Sequence, residues 1–175
     1  MVVSEFIAGD GTVGATDWFA MCGPACVGKS YFMGRHGMVS HRKLKKLFKQ
    51  PTLTEWLNNG NFHWALASHP KRWPKEQLTE APTKTTKAIV IGIPYFIWKK
   101  RIQERILRHK EFHTSTHVYL KLLNATAQYY KKIYVKWIKV LDEYNIPYIL
   151  VDNRNNYPIL DKSSFFTMLG EKDKL

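Results

Sequence analysis

Gly23-Pro24-Ala25-Cys26-Val27-Gly28-Lys29-Ser30 fits the spacing G-x-x-x-x-G-K-[ST] in full. These residue types suit the holding of a phosphate chain, the alternative being a chance match of the spacing in a turn. Glycines let consecutive backbone N–H groups turn inward on an anion. Lys29 brings a cation able to reach β- and γ-phosphates, and Ser30 a hydroxyl able to ligate Mg²⁺. Such a loop needs a strand before it and a helix after it, because the helix N-terminus adds its partial positive charge. Trp18-Phe19-Ala20-Met21-Cys22 reads as the strand, and Tyr31-Phe32-Met33 can open the helix.

The elements that must position this loop are legible in the rest of the chain. With 175 residues, a single domain spanning 1–175 is expected. An apolar share of 45% supports a real core. Residues 1–16 hold Gly9, Gly11 and Gly14 and read as a short strand or arm with turns. Residues 17–22 form a strand, and 28–36 a helix ended by Gly37. Residues 40–49 fit a basic amphipathic helix, and Thr54 can cap a short helix through Leu57. Residues 62–68 can be a short strand, and the proline-bearing stretch 69–87 a loop. The continuous apolar run at 88–93 reads as a buried parallel strand. A basic helix follows over 96–110, then one long helix over 115–143 with Tyr130, Ile133, Trp137 and Val140 on one face. Thr126 falls on that face as its one small polar member. Residues 148–152 form a further buried strand, and a short helix lies near Phe165 to Met168. Strands alternating with helices predict an α/β fold with a mainly parallel sheet.

Charge narrows the partners. Twenty-seven Lys and Arg against 14 Asp and Glu leave a net charge of +13, which points to a polyanion. The excess gathers at Arg42–Lys49, Lys71–Lys75, Lys99–Lys110 and Lys131–Lys139. The last of these also reads as a solvated helix face. A mononucleotide needs few basic residues, so nucleic acid enters as a substrate or partner. No apolar run reaches the ~20 residues of a membrane span, and the N-terminus lacks the pattern of a signal peptide. A cytoplasmic protein with no membrane partner is expected. Cys22 and Cys26 flank the loop with no second pair to complete a metal site or a disulfide framework.

Three features now fall in order along the chain: the loop at 23–30, a strand at 88–93 leading into a helix with Arg101, Arg105 and Arg108, and a late strand ending in Asp152-Asn153-Arg154. This arrangement resembles the P-loop nucleoside and nucleotide kinase family, whose phosphate loop carries the Walker A motif. The resemblance implies a P-loop kinase-like three-layer fold with a helical lid at about 96–117. It implies an ATP-dependent phosphotransferase using ATP and Mg²⁺, with Gly23 to Ser30 on the phosphates and Ser30 on the metal. Arg101-Ile102-Gln103-Glu104-Arg105 matches the family's arginine-rich lid, which makes Lys29, Arg101 and Arg105 the catalytic cations. The loop after the last strand often cradles adenine in that family, which places Asn153, Arg154 and Tyr157 near the base. Small size and basic balance look like those of bacteriophage-type P-loop kinases, such as those that phosphorylate 5-hydroxymethyluracil within DNA. The location would then be the host cytoplasm.

The chain departs from the family at the end of the third strand, where an acid is usual. Phe62 to Ser68 contains no carboxylate, which leaves Asp10, Asp17, Asp152 and Glu55 as candidates for the base. Two other functions stay open: a kinase for a free nucleoside or nucleoside monophosphate, and an ATP- or DNA-binding regulatory protein with little turnover. His109, His113 and His117 recur every four residues, a spacing that serves a metal or a polar face beside the lid. His69-Pro70-Lys71-Arg72-Trp73 could meet phosphate and stack a base, or pack as a loop with solvated charges.

Overall fold

The computed structural model describes residues 1–8, 18–40, 64–67, 87–110 and 117–173. Within them six strands form one sheet: β1 (Trp18–Cys22), β2 (Val39–Ser40), β3 (Trp64–Ala67), β4 (Lys87–Gly92), β5 (Tyr148–Asp152) and β6 (Ile159–Leu160). Their order across the sheet is β2-β3-β1-β4-β5-β6. The first five run parallel, and β6 is antiparallel to β5. Parallel strands are covered on both faces, which is why β1 and β4 read as unbroken apolar runs. Phe19 to Cys22 and Ala88 to Ile91 are all buried.

Six helices complete the described chain: α1 (Val3–Ala8), α2 (Lys29–Arg35), α3 (Tyr95–Lys110), α4 (His117–Leu123), α5 (Ala127–Glu143) and α6 (Lys162–Leu169). α1 corrects the expectation of a strand or arm at 1–16. Val3 and Ile7 stand one turn apart and are both buried, and Glu5 accepts from the Val2 N–H at 2.8 Å. The helix expected over 115–143 is two. Thr126 belongs to no apolar face; it caps α5, its hydroxyl accepting from the Tyr129 N–H at 3.1 Å. Apolar periodicity continues across that cap and hides the break. α5 buries Tyr130, Ile133, Tyr134, Trp137, Ile138 and Leu141. The Asp161 carboxylate caps α6 by accepting from the Ser164 N–H at 2.8 Å, and β6 just before it was not expected.

The sheet order sets where a crevice opens. β1 passes through α2 to β2 on one side, whereas β4 passes through α3, α4 and α5 to β5 on the other. Right-handed connections running in opposite directions lie on opposite faces. The loops leaving β1 and β4 therefore diverge, and a crevice opens at the carboxyl ends of these neighbouring strands.

Of the expected helix at 40–49 only Ser40 is described, and it ends β2; the helix after Thr54 lies outside the described residues. So do the loop 69–87 apart from Lys87, the clusters Arg42–Lys49 and Lys71–Lys75, Asp10, Asp17, Glu55, His69 and His113.

Candidate functional site

Residues 23–30 leave β1 directly into that crevice. Gly23 crosses β4 so closely that a Cβ would stand 2.8 Å from the Ile91 carbonyl oxygen and 2.7 Å from Val27 Cγ2, so no larger residue fits. Cys26 (φ 70°) and Gly28 (φ 97°) are both left-handed. Gly28 is the N-cap of α2 and has no side chain to cap it, so the first-turn N–H groups carry no intrahelical or side-chain cap.

The loop carbonyls, by contrast, are engaged. The Lys29 ammonium donates to the Gly23 carbonyl and, at 2.9 Å, to that of Pro24. The Trp98 indole N–H donates to Ala25 at 2.8 Å. Val27 accepts from the Asn153 side-chain amide and from Arg101 Nη1 at 3.4 Å. In a trans peptide the N–H points opposite to the preceding carbonyl. The N–H groups of Ala25, Cys26 and Gly28 are therefore turned away from these donors. Lys29 is largely withdrawn from water, and this burial pulls its pKa down to about 8.

Arg101, Arg105 and Arg108 lie along α3. α3 is fixed in the core by Trp98, Ile102 and Ile106, all buried, and Arg101 on the adjacent stripe reaches the loop at the Val27 carbonyl. Arg101, Arg105 and Arg108 all act electrostatically on Cys26. Burial pushes the Cys26 thiol up, and these cations and Lys29 oppose it. The Arg105 guanidinium also lies over the Tyr119 ring, 5.6 Å from its centroid. Cys22 is a fully buried core thiol.

Beside Gly28 a cavity of about 460 Å³ opens between α2, α3 and the turn after β5. Asn153, Arg154 and Tyr157 line it, together with Tyr31, Arg35 and Arg101. Asn153 is buried and fixed by its N–H on the Gly92 carbonyl at 2.8 Å. Asn155, Asn156 and Tyr157 are consecutive non-glycine residues at positive φ, a costly backbone that function commonly exploits. Tyr157 is braced edge-on by Phe32 at 5.1 Å and by His36 at 5.5 Å.

Arg154 enters the cavity wall with its charge already matched. Its Nε and Nη2 bind the buried Asp152 carboxylate at 3.0 and 2.7 Å, and its Nη1 binds Glu171 at 2.7 Å. Asp152, one of the candidate bases, is thus held by a guanidinium. Arg35 has no carboxylate partner among the described residues.

Tyr31 and Arg35 were not singled out from sequence. They follow Gly28 at i+3 and i+7, so one helix face carries all three, and that spacing was the available signal. Trp98 carries no such signal, since an indole among the apolar residues of a basic helix reads as core. No group of three His, Cys, Asp or Glu able to hold a metal occurs among the described residues. No helix among them is long and apolar enough to cross a membrane. No protein-family model matches the chain, and no curated protein matches it.

Proposed function

We propose that the chain is a nucleoside-triphosphate-dependent kinase of the P-loop type, with ATP as donor and a hydroxyl in DNA as acceptor. One observation carries the reading. The 23–30 loop presents its carbonyls to protein donors and leaves its N–H groups free at the switch point of a parallel sheet, with Lys29 on the Pro24 carbonyl and Arg101 on that of Val27. Phosphoryl transfer asks a protein for positioning and charge neutralisation, and those are the properties of this arrangement.

In this reading the triphosphate lies along residues 23–30 and the nucleoside lies in the cavity, between Tyr31, Tyr157 and the asparagine turn. Lys29 exchanges its carbonyl partners for phosphate oxygens. Arg101 and Arg105 act on the phosphoryl group in flight. Because Trp98, Ile102 and Ile106 anchor α3, these arginines work from a fixed helix. Magnesium would neutralise phosphate charge. Ser30, exposed on the first turn of α2, is the described side chain that fits it as a ligand, with phosphates and water for the rest.

The DNA acceptor rests on the charge of +13. Its test is transfer from radiolabelled ATP to 5-hydroxymethyluracil-containing DNA, plain DNA and a nucleoside panel in parallel. The reading predicts label in DNA, and DNA affinity falling by about one log unit per log unit of salt for each phosphate contacted. Charge reversal at Lys45, Lys46 and Lys49 should weaken DNA binding and spare ATP binding. Label confined to nucleosides, with a flat salt response, would move the acceptor to a small molecule.

A further inference from the structure

Trp98 is wholly buried and lies three residues before Arg101 on α3. Its indole N–H is spent on one atom of the glycine loop, the Ala25 carbonyl oxygen at 2.8 Å. The indole stacks on the Tyr130 ring with centroids 4.4 Å apart and planes at 25°. Tyr130 is anchored in turn: its hydroxyl donates to the Ile93 carbonyl at 2.8 Å and lies 3.1 Å from the Tyr134 hydroxyl, which donates to Ile91 at 3.0 Å. The donor is thus held on α5 by the stacked ring itself, whose hydroxyl bonds add stability to the cluster. It cannot follow the loop if the loop moves.

The atom it holds controls one peptide plane. A carbonyl fixed at Ala25 fixes the Cys26 N–H on the opposite side. The same plane sets φ at Cys26, and that φ is 70°, a left-handed value disfavoured for a residue with a Cβ. Rotating the Ala25–Cys26 peptide by half a turn would return Cys26 to negative φ and relieve that cost. It would also turn the Cys26 N–H out of the loop mouth and put a carbonyl oxygen there, which repels phosphate. Something must hold the unfavourable plane, and the Trp98 hydrogen bond is placed to do so.

We propose that Trp98 is a positioning residue that locks the Ala25–Cys26 peptide in its anion-binding orientation before any ligand arrives. This deepens the nucleotide-binding reading and rests on it. A preset dipole needs no reorganisation when the charge appears, which is where such groups are most effective. The contribution is specific to the phosphates; the nucleoside, in the cavity beside Gly28, does not meet this plane.

Calorimetric titration with ATP and with adenosine, alongside thermal melting, tests the proposal. Trp98→Phe keeps a ring on Tyr130 and removes the N–H. Trp98→benzothienylalanine keeps the bicycle and replaces the N–H with sulfur, and it carries the test if Trp98→Phe does not fold. Tyr130→Phe is the control: it cuts two hydroxyl contacts in the same cluster and leaves the loop bond. ATP affinity should fall about tenfold in either Trp98 variant, the scale of one buried hydrogen bond, with adenosine affinity held within about twofold. Tyr130→Phe should melt earlier and bind ATP as the wild type does. Adding Cys26→Gly to Trp98→Phe should recover part of the loss, since glycine accepts φ 70° freely. Equal losses for ATP and adenosine, unchanged ATP affinity, or the same ATP loss in Tyr130→Phe would overturn the proposal. A wild type that binds ATP no better than Lys29→Ala would overturn the nucleotide reading and this inference together. A wild type that needs Lys29, with Trp98→Phe unaltered, would overturn this inference alone.

Discussion

Arg154 closes on Asp152 through two nitrogens, Nε at 3.0 Å and Nη2 at 2.7 Å, two residues away in sequence. The pair seals the carboxyl end of β5 beside the cavity. Asp152 is 6% exposed, so removing its partner leaves a carboxylate with little water to replace it. The arginine is partly exposed, which places the cost below that of a fully buried pair. Arg154→Ala should destabilise the fold by about 2 kcal/mol, lowering Tm by roughly 4–8 °C. Arg154→Ala, Asp152→Ala and the double variant, melted side by side, measure it. A double variant no more stable than the sum of the singles would show that the pair is uncoupled.

Lys29 gives the site a pH signature. Burial lowers its pKa to about 8 from 10.5, so the free folded protein loses this charge well before an ordinary lysine does. Phosphate binds the ammonium form. Above pH 8, binding must therefore take up a proton, and ATP affinity should fall by up to about tenfold per pH unit. Stability has the opposite sign. Between pH 8 and 10.5 the unfolded chain holds more protons at this group, so wild type should gain on Lys29→Met as pH rises. Titrations and chemical denaturation at pH 7, 8 and 9 read both slopes; affinity that rises over this range would contradict the assignment.

Arg101 and Arg105 share a helix face but not a setting. Arg101 reaches the Val27 carbonyl and the cavity, whereas Arg105 lies over Tyr119. Arg101→Ala should reduce turnover about a hundredfold with a much smaller change in ATP affinity, and Arg105→Ala should do less. Steady-state kinetics paired with ATP titration separate the two quantities. Unchanged turnover in both variants would make this a solvated helix.

Gly92 lets α6 close on β4. A Cβ there would stand 2.7 Å from Phe165 Cζ and 2.8 Å from Leu169 Cδ2. Gly92→Ala should cost about 1–3 kcal/mol as the helix is pushed off the sheet. Phe165→Leu in the same chain should return part of it, which urea titration can follow.

The parts of this molecule that a sequence displays are those with a period or a spacing. β1, β4 and β5 announce themselves as apolar runs, because a parallel strand buried on both faces needs one. The 23–30 loop is visible because its two glycines, Lys29 and Ser30 stand at a fixed spacing. α1 was misread because the nearby glycines outweighed a short Val3–Ile7 repeat. The break at Thr126 was hidden because apolar residues continue in phase on both sides of the cap. Sheet order depends on pairing between distant segments, so no local pattern places β3 between β2 and β1. Tyr31, Arg35 and Trp98 belong to the site only because α2 and α3 meet at the loop, a tertiary fact. Arg154 was legible as a neighbour of the site, but its pairing to Asp152 and Glu171 was not.

The proposed kinase activity requires residues 23–30 to bind the phosphates of a nucleoside triphosphate through Lys29. The direct measurement is equilibrium titration of wild type and Lys29→Ala with ATP and Mg²⁺, with circular dichroism and melting of both proteins beside it. Lys29 donates to loop carbonyls and buries its charge at a cost, so Lys29→Ala should keep the wild-type spectrum and a similar Tm. It should lose about 2–4 kcal/mol of ATP affinity, a factor of roughly 30 to 1,000, because no other described cation stands inside the loop. A folded Lys29→Ala protein that binds ATP as tightly as wild type would contradict the account.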